Sequence, residues 1–391
     1  MSKPLYLDNH STTPVDDRVL SKMMPYFSEV HGNPSSIDHI HGNSALKAVK
    51  IARNEISKIL GCKRDNEILF TAGATESNNL ALIGAYRKYQ SKGNHIISTQ
   101  IEHASVLQTL EYLKSEGAEI TLLPVDNYGR VSIVDVQSAI QENTILISVM
   151  YANNEIGTMQ PIDEIGKIAK DNNIIFHCDA AQAVGYEDID VYKLNIDLMS
   201  FSGHKIYGPK GIGGLFIRSF MPIIRINPII FGGDQERGFR SGTLNVPGII
   251  GFAEALKLLS KESEVINKRN KEFSQKILKA LQKQFPQIKL NGDPTNCLAH
   301  NLNMTIPNVE SKALMLKLKH KLSFSAGSAC STIKVKPSHV LQAIGLNDEE
   351  IYQTIRIGLS KDTTDDDVEY IIYCLSEGIE YLYKLDNTHF T

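Results

Sequence analysis

The chain reads as an α/β protein: a mainly parallel, doubly wound sheet with a second, smaller α/β domain. Three observations carry this expectation. Short apolar runs alternate with helical patterns from about residue 67 to 217. Polar residues with chemical potential come directly after those runs. Past a long helical stretch, the strand-like runs become shorter and mixed with helices. Alternation of this kind implies parallel strands joined by crossover helices on both sheet faces.

The elements run in order along the chain. Glu67-Ile68-Leu69-Phe70-Thr71 precedes a helical stretch over 75–92, and His95-Ile96-Ile97-Ser98-Thr99 precedes one over 103–116. Thr144-Ile145-Leu146-Ile147-Ser148-Val149-Met150 precedes a helix opened by Pro161-Ile162-Asp163-Glu164. Next come the runs Ile174-Ile175-Phe176-His177-Cys178 and Ile196-Asp197-Leu198-Met199-Ser200-Phe201. Residues 246–285 are strongly helical, with Lys261-Glu262-Ser263-Glu264 as a charged middle that marks a crossing between domains. We therefore expect a large domain over 16–261 and a smaller one over 262–391, with 1–15 packed on the smaller. Strand-like runs at 288–290, 299–305, 322–326 and 352–358 lead to an amphipathic helix over 365–385, whose apolar pattern includes Cys374.

Composition sets bounds. A chain of 391 residues buries one large core and a second smaller one. Hydrophobic content of 42% and a formal charge of -3 are ordinary for a globular protein and argue against nucleic acid as the main partner. No apolar run approaches the roughly 18 residues of a membrane span. The start, Met1-Ser2-Lys3-Pro4-Leu5-Tyr6-Leu7-Asp8, lacks the apolar core of a signal peptide. The expectation is a cytoplasmic protein without membrane association. Cysteines stand at 62, 178, 297, 330 and 374, an odd number with no Cys-x-x-Cys pair. That spacing argues against a disulfide framework or a structural zinc site, and no metal is expected.

In doubly wound sheets, ligands bind beyond the carboxyl ends of the strands. Thr75, His103, Asn154, Asp179 and His204 all sit just past such ends. Ser202-Gly203-His204-Lys205 presents a hydroxyl, an imidazole and an amine together, and Asp179 adds a carboxylate at a nearby strand end. An amine for an aldehyde and an acid for a pyridine nitrogen suit pyridoxal 5'-phosphate (PLP). Gln182, one turn past Asp179, suits the ring hydroxyl. Each residue also has a plainer reading. Lys205 fits a surface lysine after a core strand. Thr75 and Asp179 fit helix N-caps, and His103 fits a capping or half-buried histidine. Asn153-Asn154-Glu155-Ile156-Gly157 fits a simple turn. Gly73-Ala74-Thr75 opens a helix, where free N–H groups make a phosphate seat. The polar loop from Gly232 to Thr243 either meets an anion through arginine and hydroxyl groups or is a surface loop.

Cys330 lies among small residues in Ser325-Ala326-Gly327-Ser328-Ala329-Cys330-Ser331-Thr332, with no apolar periodicity to bury it. It is the candidate nucleophile. Cys178 and Cys374 read as packing cysteines. Cys62 comes after a helix end, and Cys297 is left undecided.

These segments together resemble the cysteine desulfurases of the NifS/IscS type, PLP enzymes of fold type I. The resemblance rests on Tyr6-Leu7-Asp8-Asn9, Gly32-Asn33-Pro34-Ser35-Ser36, Phe70-Thr71-Ala72-Gly73-Ala74-Thr75-Glu76-Ser77, Glu102-His103 and Asn153-Asn154-Glu155-Ile156-Gly157. It continues through the Asp179 to Gln182 segment, Ser200-Phe201-Ser202-Gly203-His204-Lys205, Arg240-Ser241-Gly242-Thr243, Gly327-Ser328-Ala329-Cys330 and Ile355-Arg356. It spans nearly the whole chain.

The resemblance implies roles. Lys205 would hold PLP through its aldehyde, Asp179 would pair with the pyridine nitrogen, and Gln182 with the ring oxygen. His103 would stack on the ring and assist Lys205 in shuttling protons, and Asn154 would contact cofactor or substrate. Thr75, Ser202 and His204 would bind the phosphate, helped by the backbone near Ala74. Thr243 would reach the phosphate of a partner subunit, which implies a homodimer. Arg356, with Asn33, would hold the carboxylate of L-cysteine. Cys330 would take the sulfur as a persulfide and pass it to an acceptor protein, for iron–sulfur cluster assembly or tRNA thiolation, leaving L-alanine. A selenocysteine lyase, or another PLP-dependent enzyme of the aminotransferase fold, is the nearest alternative, and a non-catalytic sulfur carrier a more distant one. Three departures stand out: Asp234 where the family usually continues a glycine run, Ser360-Lys361 where a glycine-arginine pair is common, and a chain ending soon after its last helix. The last leaves scaffold binding open.

Overall fold

Period-two burial organises the larger sheet. In each central strand one apolar side chain faces one layer and its neighbour faces the other, as pleating requires. Phe70, Ile97, Ile147, Phe176, Met199 and Phe216 enter one cluster. Leu69, Ile96, Leu146, Ile175, Leu198 and Leu215 enter the opposite one. The first cluster is closed by helices Ile40–Ile59 and Ile162–Asp171, the second by Ala74–Tyr89 and Ala104–Ser115. The computed structural model describes residues 3–329 and 336–388.

The sheet has seven strands, in the spatial order Ile68–Thr71, Gly213–Ile217, Leu198–Ser202, Ile175–Asp179, Thr144–Ser148, His95–Thr99 and Glu119–Leu123. Pairings are parallel except those of Gly213–Ile217, which runs antiparallel to both neighbours. The mainly parallel α/β sheet expected from the sequence is present. Two strands go beyond that reading. Glu119–Leu123 is an edge strand with only one fully buried residue, so it lacks a continuous apolar run. Gly213–Ile217 comes too soon after its neighbour for a crossover helix, and so it returns antiparallel.

Helix Val246–Gln284 opens with Asn245 accepting from the Gly248 N–H at 3.0 Å, and has proline in its first turn. Its apolar residues through Ile266 pack with the larger sheet. Phe273, Ile277 and Leu281 pack in a separate cluster with the four-stranded sheet of Ser325–Ala326, Thr354–Gly358, Asn301–Thr305 and Lys289–Leu290. Helix Asp365–Thr388 covers this cluster and contributes Cys374. The N-terminal strand Leu5–Tyr6 runs parallel to Leu322–Ser323, and Leu7 is buried in the same cluster. Among the described residues, no helix is long and apolar enough to cross a membrane.

Candidate active site

The parallel strands point their carboxyl ends into one cavity of about 1040 Å³. Ala74, Thr75, His103, Asn154, Asp179, Gln182, Ser202, His204, Lys205 and Arg356 all line it, together with His10 and Ser11, which sequence reasoning did not single out. Asn33 and Thr243 do not line it and are exposed in the single chain. Cys330 lies outside the described residues.

One end of the cavity suits an anion. Helix Ala74–Tyr89 begins after Gly73, whose position as N-cap leaves the first N–H groups without a side-chain cap. Thr75 is therefore inside the first turn rather than capping it. Gly213 crowds the back of this turn: a Cβ there would lie 2.6 Å from Gly73 Cα. Ser202 Oγ is buried without a partner among the described residues. Buried polar groups normally find partners, so this hydroxyl is available to a ligand oxygen. His204 Nδ1 lies 3.2 Å from Thr12 Oγ1. Burial, then the Lys205 and Lys210 charges, lower its pKa to about 4. An anion bound here would oppose the two positive charges.

At the centre stands Lys205, in a short turn over Gly203–Lys205. Its Nζ donates to the His10 and Ser11 carbonyls, the latter at 2.8 Å. Burial, then the Arg356 charge, lower its pKa to about 8, against raising contributions from Asp8 and Asp179. A depressed lysine is the form that attacks carbonyls.

Asp179 ends its strand 5% exposed. One oxygen accepts from the Ala181 N–H at 3.0 Å, so it caps a turn rather than a helix. The other accepts from Asn78 Nδ2 at 2.7 Å. Gln182 Nε2 donates to the His10 carbonyl at 3.1 Å, and its Oε1 lies 3.1 Å from His10 Nδ1. His10 Nε2 lies 3.1 Å from Asn301 Nδ2, and the ring stacks on His300 at 4.5 Å between centroids. His103 caps helix Ala104–Ser115, as the plainer reading has it, and also lines the cavity.

Arg356 sits on strand Thr354–Gly358, 9% exposed. Its guanidinium donates to Asp8 Oδ1 at 2.7 Å, the Asn154 carbonyl at 2.8 Å and Ser11 Oγ at 2.9 Å. Its Nε is buried without a partner among the described residues. A fork with a spare donor suits a carboxylate.

The other cysteines lie elsewhere. Cys178 and Cys374 are buried, and Cys62 and Cys297 half-buried, none of them in the cavity. Burial raises the pKa of each, that of Cys62 to about 12. The loop before Thr243 is tied down by its charges: Arg240 pairs with Glu76 at 2.8 Å, and Glu236 with Arg53. Lys361, one of the three departures from the family pattern, pairs with Asp16.

The sequence and the architecture have counterparts. A family model described as aminotransferase class-V matches residues 5–371. A cysteine desulfurase IscS of Methanosarcina thermophila is 46% identical over 382 residues, 97% of this chain and 93% of that protein. A solved NifS-like protein superimposes with a TM-score of 0.89 at 36% identity, covering 97% of this chain and 99% of that one. A structure of SspA in complex with cysteine does so with a TM-score of 0.80 at 37% identity, covering 93% and 100%. With the family model matched over most of its length, the chain belongs to the class-V aminotransferases.

Proposed function

We propose that the protein is a PLP-dependent cysteine desulfurase, which converts L-cysteine to L-alanine and moves the sulfur to Cys330 as a persulfide. The observation that carries this is one cavity lined by a depressed lysine, a buried aspartate, an N-terminal helix seat and a forked arginine. Similarity to the desulfurase of M. thermophila and to cysteine-bound SspA supports the choice among class-V chemistries.

PLP is the cofactor of this class, and the residues fit it. The orphaned Ser202 hydroxyl, the uncapped start of helix Ala74–Tyr89, Thr75 and His204 would hold its phosphate. Asp179 would meet the pyridine nitrogen, Gln182 the ring oxygen, and Lys205 the aldehyde. When bound, the ring supplies an electron sink next to the substrate α-carbon.

The chain's own residues do the rest. Arg356 fixes the substrate carboxylate, with Asn154 holding the guanidinium through its carbonyl. The Lys205 amine takes the α-proton, since its lowered pKa keeps a useful neutral fraction near neutrality. His103 covers the ring. The Cys330 thiolate attacks the substrate sulfur; the carbon–sulfur bond breaks, a sulfur–sulfur bond forms, and the carbon takes a proton to give alanine. The balance is cysteine plus thiol to alanine plus persulfide, with no outside oxidant.

The wider setting completes the proposal. The chain works in the cytoplasm as a homodimer of two-domain subunits divided near 261/262, with residues 1–15 on the smaller domain. Thr243 of each subunit reaches the phosphate bound by the other, and Asn33 assists Arg356. An acceptor protein takes the sulfur toward iron–sulfur clusters or thiolated tRNA.

The test is incubation of the purified protein with L-cysteine and no keto acid, and then measurement of alanine and of Cys330 mass. Alanine in step with a 32-Da gain on Cys330 supports the proposal (about one sulfur atom, labile to thiols). Normal alanine release from a Cys330→Ala protein would overturn it, and dependence on a keto acid would point to an aminotransferase.

A further inference from the structure

The hydrogen bonds behind His103 bear on its protonation as well as its place. Nδ1 accepts from the Ser105 backbone N–H at 3.1 Å and lies 2.8 Å from Ser105 Oγ. The same hydroxyl oxygen accepts from Asn78 Nδ2 at 2.8 Å. The second hydrogen of that amide goes to Asp179 Oδ2 at 2.7 Å. An ionised carboxylate only accepts, so the amide's NH₂ group, not its oxygen, faces Asp179. Asn78 is fully buried and Ser105 is 8% exposed. With a backbone N–H aimed at it, Nδ1 is the bare nitrogen of the ring. The Ser105 hydroxyl then donates to it, and the ring proton sits on Nε2.

We propose that Asn78 and Ser105 are positioning residues that hold His103 as the neutral tautomer protonated on Nε2, tied to the same amide that orients Asp179. The proposal rests on the desulfurase function, in which His103 and Asp179 flank the cofactor ring. It deepens that function by dividing the labour. In this state the only basic nitrogen of His103 is turned into the protein. Lys205 is therefore the base at the α-carbon, and His103 is a fixed N–H donor and ring cover.

The groups around the ring are compatible. Burial is the largest influence and disfavours the cation. Lys205 and His339 also disfavour it, while Asp179 and Glu155 favour it. These come from the strand end at Asp179, the turn at Lys205, the loop at Glu155 and the helix that starts at His339. Protonating Nδ1 would break its bond to the Ser105 N–H and force the hydroxyl to reverse.

The experiment uses holoenzyme labelled with ¹⁵N-histidine and long-range proton–nitrogen correlation. The His103 signals are identified by their loss in His103→Gln. The expected wild-type pattern is a protonated Nε2 and a bare Nδ1 at pH 7. Ser105→Ala keeps the backbone N–H, so Nδ1 should stay bare; it loses the hydroxyl donor and the tie to Asn78, so it should move the titration midpoint of His103 upward and lower kcat roughly fivefold with KM for cysteine little changed. Ser105→Thr, which keeps the hydroxyl, should return the midpoint to the wild-type value. Asn78→Ser serves if a larger truncation fails to fold, and should also shift the pH dependence of the bound cofactor's absorbance, because Asp179 loses a donor. A charged or Nδ1-protonated His103 in the wild type at pH 7 would overturn the proposal, as would a His103 titration in Ser105→Ala identical to that of the wild type. The tautomer is read without turnover, so its outcome is separate from whether the enzyme releases alanine.

Discussion

Capture of the cofactor by Lys205 should track the neutral fraction of its amine. Burial and the Arg356 charge lower its pKa from 10.5 to about 8. At pH 7 an ordinary lysine is about 0.03% neutral, whereas one at 8 is about 10% neutral, a gain of roughly 300-fold. The perturbation is pH itself, applied to protein stripped of PLP and mixed with excess PLP in a stopped-flow absorbance experiment between pH 6 and 9.5. The rate constant should climb about tenfold between pH 6 and 7 and flatten above 8. Arg356→Gln removes one of the groups that lowers the pKa, so it should move the bend to higher pH and slow capture at pH 7. A rate that keeps climbing tenfold per unit beyond pH 9 in the wild type would refute the reasoning, because the amine would then be unperturbed.

Three other perturbations separate the remaining parts of the site. Arg356→Lys keeps the charge but loses the fork, and should raise KM for L-cysteine about tenfold or more with a smaller effect on kcat, in steady-state alanine release. Glu236 is buried (its side chain is 2% exposed) and accepts from Arg53 and from the Phe70 N–H at 2.8 Å. Glu236→Ala strands the guanidinium and should cost about 3–5 kcal/mol in urea unfolding. Gly213→Ala drives a Cβ to within 2.6 Å of Gly73 Cα. It should displace the start of helix Ala74–Tyr89 and weaken PLP about tenfold or more in absorbance titration, with the far-ultraviolet spectrum retained.

Much of this arrangement is local enough to read along the chain. His103, Asp179 and Lys205 each lie at or just beyond the end of an apolar run, and a parallel sheet gathers the ends of its strands along one edge. Other parts depend on contacts with no local trace. His10 sits in a polar stretch without periodicity, and its partners lie 172 and 291 positions away. Asn78 looks like any polar residue on a helix until the neighbouring strand ends bury it. The position of strand Gly213–Ile217 between Ile68–Thr71 and Leu198–Ser202 is a property of sheet order, which hydropathy does not encode. Asn33 and Thr243 entered through family resemblance rather than pattern, and a single chain leaves both exposed. The charged middle of the long helix marks a change of surroundings, yet the helix runs on unbroken, because nothing between residues 261 and 273 interrupts it.

The seam between the N-terminal segment and strand Thr354–Gly358 imposes an order on biosynthesis. Asp8 bridges Gly358 and reaches Arg356, and Asn9 Nδ2 donates to the Gly358 carbonyl at 2.8 Å, across 349 positions of sequence. At roughly 5–20 residues per second, a ribosome needs about 15–70 s to make that interval. Throughout it, the carbonyls of His10 and Ser11 that receive Lys205 lack the strand that anchors them. Lys205 is thus present long before its surroundings are finished. A nascent chain halted before residue 354 would carry all seven strands of the large sheet yet lack Arg356, and with it the contacts that tie Asp8 and Ser11 in place.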